Sequence, residues 1–287
     1  MSINRKKLRI VRYLSVLVAV LILSLIIFFQ PSDDYTVTFI DVGQGDSAVI
    51  KGKNSTMLID AGTRKSAREV SAALDRLNIK TLDLVVLSHY DSDHISGMNK
   101  LINNFDIKNI AAPKTESAYM PDSTAYDELV YAAENKNIKL KKIKITDRIK
   151  LNDMDIEVLS PCKEYGESNE DSAVLRISCG KAKLLFSGDI SSKVEEDIIK
   201  NNKDISADIL KVAHHGSRTS TSEEFLNAVN PSYAVVSVSK YNSYNLPNIE
   251  TMNRLYGFGC NVFRTDDMGD MTFHINGGEI RVDTEKS

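Results

Sequence analysis

The stretch Ser88-His89-Tyr90-Asp91-Ser92-Asp93-His94-Ile95-Ser96-Gly97 constrains this chain more than any other. It follows residues 82–87, a short and almost wholly apolar run of the kind that forms a strand buried on both faces. His89, Asp91, Asp93 and His94 lie within six residues. A loop leaving the end of a buried strand turns such side chains toward one pocket. Imidazole and carboxylate together suit divalent transition metals, and four such groups can serve two ions. A solvated acidic turn has no reason to hold two of the chain's five histidines.

The same arrangement recurs downstream. Residues 184–186 read as an apolar strand running into Ser187-Gly188-Asp189, where the glycine allows close backbone approach. Residues 209–213 form another, ending in His214-His215-Gly216-Ser217. Four of the five histidines therefore sit directly after apolar strands. Adjacent residues project in different directions, so one of the last pair is expected to ligate, His215 in preference to His214, which then lies nearer the substrate. His274, on the alternating stretch 271–275, reads as an ordinary strand histidine.

Around these motifs the chain alternates short apolar runs with amphipathic segments, with no repeat, low-complexity tract or Pro/Gly/Ser linker. Residues 35–40, 47–51 and 56–59 read as strands separated by the turns Gly43-Gln44-Gly45-Asp46 and Gly52-Lys53-Asn54. Residues 66–77 place Val70, Ala73, Leu74 and Leu77 at helical spacing. The expected class is α/β, as one catalytic-type domain over residues 35–283. At 287 residues and 42% hydrophobic composition it can bury its core without disulfides. Cys162, Cys179 and Cys260 lack any C-x-x-C spacing and read as small core residues.

Arg5, Lys6, Lys7, Arg9 and Arg12 precede an uncharged run from residue 13 to 29. We expect a basic cytoplasmic tail at 1–12, an uncleaved single-pass transmembrane helix at 13–29, and a linker at 30–34. The positive-inside rule places the domain on the extracytoplasmic side of the cell membrane. Without the five basic residues of that tail, 31 basic residues face 39 acidic ones, a net charge of −8. That balance disfavours a protein that grips many DNA phosphates. Lys139, Lys141, Lys142 and Lys144 are read as a solvated strand face rather than a binding patch.

The motifs together resemble the metallo-β-lactamase superfamily, and within it the extracytoplasmic domain of ComEC/Rec2-type DNA-uptake proteins. The resemblance covers nearly everything after Tyr35. Besides the His89 to Gly97 motif, it rests on Phe39-Ile40-Asp41-Val42-Gly43-Gln44-Gly45-Asp46-Ser47, Leu58-Ile59-Asp60-Ala61-Gly62, Ser187-Gly188-Asp189, Lys211-Val212-Ala213-His214-His215-Gly216-Ser217 and Arg264-Thr265-Asp266. It implies a four-layer αββα sandwich with metals at its edge, lined by His89, Asp91, Asp93, His94, Asp189 and His215.

Two departures from the superfamily stand out. Asp91 takes the place of the second histidine of H-x-H-x-D-H, as in the ComEC-like branch, and no histidine occurs between His94 and His214. The first metal site is thus oxygen-rich, which favours two divalent ions drawn from Mn²⁺ at least as readily as Zn²⁺. In Ser237-Val238-Ser239-Lys240-Tyr241-Asn242-Ser243-Tyr244-Asn245-Leu246-Pro247, Leu246 stands where ComEC-like domains carry histidine. An apolar side chain cannot donate to a phosphate oxygen, and Asn242 or Tyr244 is the expected substitute.

The resemblance implies a metal-dependent phosphodiester hydrolase, with DNA among its substrates, in which Asp93 holds the nucleophile and accepts its proton. Ser217, Arg218 and Thr219 are candidate phosphate ligands, although Ser222-Glu223-Glu224-Phe225 just after them reads as a helix start. Two alternatives are a hydrolase of a cell-envelope phosphodiester or small ester, and a binding or assembly module with attenuated chemistry. β-Lactam hydrolysis ranks last, because the histidine-rich first site is absent.

Overall fold

The computed structural model describes residues 12–20, 34–114 and 123–286. It divides into two compact units, Met1–Asp33 and Asp34–Ser287. In the first, residues 12–20 are helical with exposed side chains. Among the described residues no helix is long and apolar enough to cross a membrane. Residues 21–29 of the expected anchor, with most of the basic tail and linker, lie outside the described residues.

The second unit runs β1 (Tyr35–Phe39), β2 (Ala48–Lys51), β3 (Thr56–Ile59), β4 (Thr81–Leu82), β5 (Leu84–Val86), β6 (Asp106–Ile107), β7 (Ile110–Pro113) and β8 (Leu140–Ile143). It continues through β9 (Arg148–Leu151), β10 (Met154–Ser160), β11 (Val174–Cys179), β12 (Ala182–Phe186), β13 (Ile209–Lys211), β14 (Tyr233–Val236) and β15 (Asn261–Arg264), and closes with β16 (Met271–Asn276) and β17 (Glu279–Thr284). One sheet has the order β17-β16-β1-β2-β3-β5-β7-β8, the other β15-β14-β13-β12-β11-β10-β9, and β4 pairs separately with β6.

Alternation within the strands builds three apolar layers. Val37, Phe39, Ile50, Ile156, Ile177, Leu184 and Phe273 fill the space between the sheets. Phe39 stacks on Phe186 at 5.6 Å between ring centroids and meets Phe273 edge-on at 5.7 Å. Each such ring contributes about 1.5–3 kcal/mol through burial. The outer face of the first sheet packs on helices Ala67–Arg76, Met98–Asn104 and Ser123–Asn135 through Val70, Leu74, Leu101 and Leu129. The outer face of the second packs on Ser192–Asn201, Glu223–Val229 and Ile249–Phe258 through Val194, Phe225 and Leu255. Helices therefore cover both outer faces of a mixed α/β sandwich.

Some elements depart from their expected bounds. The run 82–87 is two strands, because Asp83 turns aside: its carboxylate accepts the Thr56 N–H at 2.9 Å and binds Lys108 at 2.6 Å. The strand expected over 209–213 stops at Lys211, where Ala213–Gly216 turns as a short 3₁₀ segment. His274 is a strand residue of β16, 3.1 Å from Asp283. Cys179 is buried, Cys162 and Cys260 are half-buried, and all three are free thiols. Lys141 and Lys142 are exposed on β8, the edge strand of its sheet.

The fold places its chemistry at one edge. β3, β5, β7 and β8 are parallel, as are β12, β13, β14 and β15. Asp60, Ser88 and His89, Asp189, His215 and Ser237 each follow the C-terminal end of one of these strands. Parallel strands that end together bring residues distant in sequence to a common crevice.

Candidate metal centre

Each inward-facing imidazole is held from behind. His94 Nδ1 lies 3.0 Å from Asp60 Oδ2, and Asp60 also accepts the backbone N–H and the hydroxyl of Ser88, both at 2.7 Å. With its proton given to Asp60, the Ser88 hydroxyl accepts from His89 Nδ1 at 2.9 Å. His215 Nδ1 donates to the Ser237 carbonyl at 2.9 Å. Engaging Nδ1 in this way fixes the ring and aims Nε2 into the pocket, where a metal would bind it on displacing its proton.

These atoms face one another. His94 Nε2 is 3.5 Å and His215 Nε2 3.3 Å from Asp189 Oδ2. Asp93 lies 3.5 Å from His215 Nε2 and 4.0 Å from His94 Nε2, and Asp91 lies 3.8 Å from His89 Nε2. The Nε2 atoms of all three histidines, with Asp91 Oδ1 and Asp189 Oδ1, are buried and have no hydrogen-bond partner among the described residues. Leaving a buried polar atom unpaired costs about 1–3 kcal/mol. His89, His94 and Asp189 present ligand atoms within 4.8 Å of one another, as do Asp93, His94 and His215. Orphaned nitrogen and oxygen donors at this spacing fit divalent cations.

Electrostatics reflects the crowding. Burial pushes His89 down to about 4, reinforced by His94. Burial also raises Asp91, partly offset by the Ser168 hydroxyl beside it. For Asp93 and Asp189, burial acts upward but the neighbouring imidazoles outweigh it, holding both carboxyls below the usual range. Burial opposes the charging of His94 and His215, yet the carboxylates, Asp189 foremost, raise both, His215 to about 10. In the metal-free pocket the His94 and His215 rings carry the charge that pairs with these carboxylates, and a divalent ion would take over that pairing by displacing their protons.

Backbone conformation sharpens the convergence. Asp60, His214 and His215 all adopt the left-handed region, with φ of 57°, 49° and 53°. Such conformations cost about 1–3 kcal/mol each and concentrate at functional sites. A Cβ at Gly45 would overlap the Asp93 carbonyl, so this turn approaches the His89 to His94 loop only as glycine.

The remaining expected residues separate into distinct positions. His214 is half-buried, its ring 6.1 Å from that of His215, and it is not among the converging groups. Arg218 and Thr219 are exposed, and the Ser217 and Thr219 hydroxyls lie 3.1 Å apart. Their loop is held from beneath: Arg254 takes the carbonyls of Ser220 and Thr221, and Thr251 takes that of Ser217. Ser222 caps the helix Glu223–Val229 by accepting the Phe225 N–H.

On the loop after β14, Asn242 donates to the carbonyls of Ser239 and Leu246 and accepts the N–H groups of Tyr244 and Leu246. The amide of Asn242, expected with Tyr244 as an alternative to the missing donor, is engaged in holding its own loop. Leu246 packs against the outer core of the second sheet, and Tyr244 is exposed.

The structure adds residues that the sequence reading left unassigned. Asp46 and Asp60 stand in quoted motifs, and both are buried beside His94. Lys211 Nζ binds Asp46 Oδ2 at 2.6 Å, 3% and 8% exposed respectively. A lysine inside an otherwise apolar strand was the available signal, since buried lysines are almost always paired.

Comparison with known proteins identifies the family. The family model of the Metallo-beta-lactamase superfamily matches residues 40–240. Competence protein ComA of Neisseria gonorrhoeae is 32% identical over 254 residues, covering 88% of this chain and 34% of that protein. ComE operon protein 3 of Bacillus subtilis is 29% identical over 269 residues, covering 86% of this chain and 34% of that protein. The chain thus spans about a third of the length of these curated relatives. In fold it is similar to the metallo-beta-lactamase fold protein YhfI from Bacillus subtilis, with TM-score 0.55 and 13% identity over 87% of this chain and all of that one.

Proposed function

Given that this chain belongs to the metallo-beta-lactamase superfamily, in its ComEC/Rec2-like branch, we propose that it is a metal-dependent hydrolase of phosphodiester bonds. The observation that carries this reading is the ring of unpartnered Nε2 and carboxylate atoms at the edge of the sandwich. His89 with Asp91 would hold one divalent ion and Asp93, His94 and His215 a second, with Asp189 between them. The oxygen share of the first set favours Mn²⁺ over Zn²⁺. When bound, such ions supply an acidified water and neutralise charge building on the phosphate oxygens.

The chain's own residues do the rest. Asp93, kept ionised by its imidazole neighbours, orients the attacking water and accepts its proton. Arg218, Ser217 and Thr219, displayed on a braced loop, bind the phosphate, with His214 and Tyr244 on its flanks. Asp60, Ser88 and Ser237 keep the imidazoles in their metal-facing tautomer. The N-terminal basic and apolar residues support a membrane-anchored protein acting outside the cytoplasm, on nucleic acid or on an envelope phosphodiester, the net charge of −8 beyond the five basic residues of the tail favouring the latter.

The test is the metal content of the purified chain, followed by assay of bis-p-nitrophenyl phosphate, single-stranded DNA and a chromogenic β-lactam with added Mn²⁺ or Zn²⁺. Turnover of a phosphodiester that disappears in Asp93→Asn supports the reading. Stoichiometric metal with no turnover of any phosphodiester supports instead an attenuated binding module, which the apolar packing of Leu246 favours.

A further inference from the structure

The two halves of the centre are unequally furnished. Asp93, His94 and His215 present ligand atoms within 4.8 Å of one another, whereas His89 shares both His94 and Asp189 with the rest of the centre and has beside it only Asp91, 3.8 Å from its Nε2, and no histidine lies between residues 94 and 214 to complete that side.

The loop joining β10 to β11 borders this poorer side. Its Ala173 N–H donates to the Ser88 carbonyl at 2.7 Å, directly before His89. The Ser172 hydroxyl accepts the Asp189 N–H at 3.2 Å, and a Cβ at Gly188 would collide with Ser172, so this loop and the Asp189 turn are in tight contact. Ser172 N–H in turn donates to the Asn169 carbonyl at 3.1 Å. Ser168, the residue before, stands beside Asp91. Asn169 is therefore bracketed by a neighbour at Asp91 and a hydrogen-bonded partner at Asp189.

Its side-chain oxygen Oδ1 is sealed from solvent and has no donor, the only unpartnered buried amide oxygen among the described residues. Buried acceptors are almost always satisfied, so an orphaned amide oxygen on a loop bonded to Ser88 and to the Asp189 turn is an acceptor that a cation there would complete. A carboxamide oxygen is a hard, neutral ligand suited to Mn²⁺ and similar cations, and it adds no charge to a pocket already rich in carboxylates.

Resting on the reading that this centre holds two divalent ions, we infer that the Asn169 side-chain oxygen is a ligand on the His89 and Asp91 side, taking the place of the absent histidine. Asn169 belongs with the metal set rather than with the loop's own scaffolding, since no group of the loop uses that oxygen.

The full chain is stripped with chelator, reloaded with Mn²⁺, and read by atomic emission for stoichiometry, by electron paramagnetic resonance for a coupled Mn²⁺ pair, and by calorimetric titration for affinity. Wild type takes up two ions and shows the pair signal. Asn169→Ala retains one, shows the isolated-ion signal, and binds the other at least about tenfold more weakly. Asn169→Asp and Asn169→His regain two ions, the histidine variant with preference shifted toward Zn²⁺. These variants also guard against misfolding, as does the melting temperature of metal-free Asn169→Ala, expected to match wild type. Two ions in wild type and two in Asn169→Ala, at equal affinity, overturn the inference and leave the two-ion reading standing. One ion or none in wild type overturns both.

Discussion

His215 Nε2 stands 3.3 Å from Asp189 Oδ2, joining the loops that leave two neighbouring parallel strands, β13 and β12. Neither residue reaches the other through local sequence. The strand pairing Leu184 to Ile209 and Phe186 to Lys211 sets both loops off from the same edge, and the His214 N–H, in its left-handed turn, donates to the Gly188 carbonyl at 3.1 Å and ties the two turns together.

Asp60 is expected to control metal affinity without touching the ion. It fixes His94 through Nδ1 and organises Ser88, which fixes His89. Asp60→Asn is predicted to weaken metal binding by roughly 10- to 100-fold, as loss of such supporting partners does. Titration of the metal-free protein with Mn²⁺ measures this, and unchanged affinity would refute it.

The buried pair of Lys211 and Asp46 is expected to be worth more intact than halved. Lys211→Met leaves a buried carboxylate uncompensated and is predicted to destabilise the domain by about 3–5 kcal/mol. The double variant Lys211→Met with Asp46→Asn recovers most of that loss. Urea unfolding of the set decides, and a double variant no better than the single one rules the pairing out as the cause.

Glu195 is completely buried and receives the N–H groups of Thr221 and Ser222, anchoring the loop beyond the phosphate-binding candidates. Burial pushes its pKa above the usual 4.5, against the pull of those bonds. A raised folded-state value means its contribution is complete below 4.5 and is lost as pH rises through the folded-state value. Wild-type stability should therefore fall relative to Glu195→Gln over that interval. Melting temperatures of the two proteins from pH 4 upward report it, and parallel curves contradict it.

Leu246→His places an imidazole in the loop whose Asn242 is already committed to backbone. If the centre is weakened for want of a donor, this variant gains phosphodiesterase rate by about tenfold or more, the reverse of deleting a donor elsewhere. It also loses stability on the order of 1 kcal/mol, because Leu246 packs on the outer core. No gain in rate with the fold retained shows that the pocket has another use.

The residues around His89 to His94, Asp189 and the paired histidines were legible from order alone, because an apolar strand ending in a polar ligand is a local pattern. Family membership followed from the same motifs. The loop brace of Asn242 was not legible, since nothing in Ser239 to Leu246 says which carbonyls its amide meets. Lys211 was visible as a charged residue in an apolar strand, yet its partner lies 165 positions earlier, at Asp46.

What the linear order determined was therefore the set of candidate ligands and the strands that deliver them. Which of those side chains share a pocket, and which polar atoms within it go without a partner, was decided only when parallel strands of two stacked sheets ended at one edge. Strand pairing and sheet packing act between residues far apart in the chain, and burial, which makes an unpaired atom costly, belongs to the assembled molecule alone.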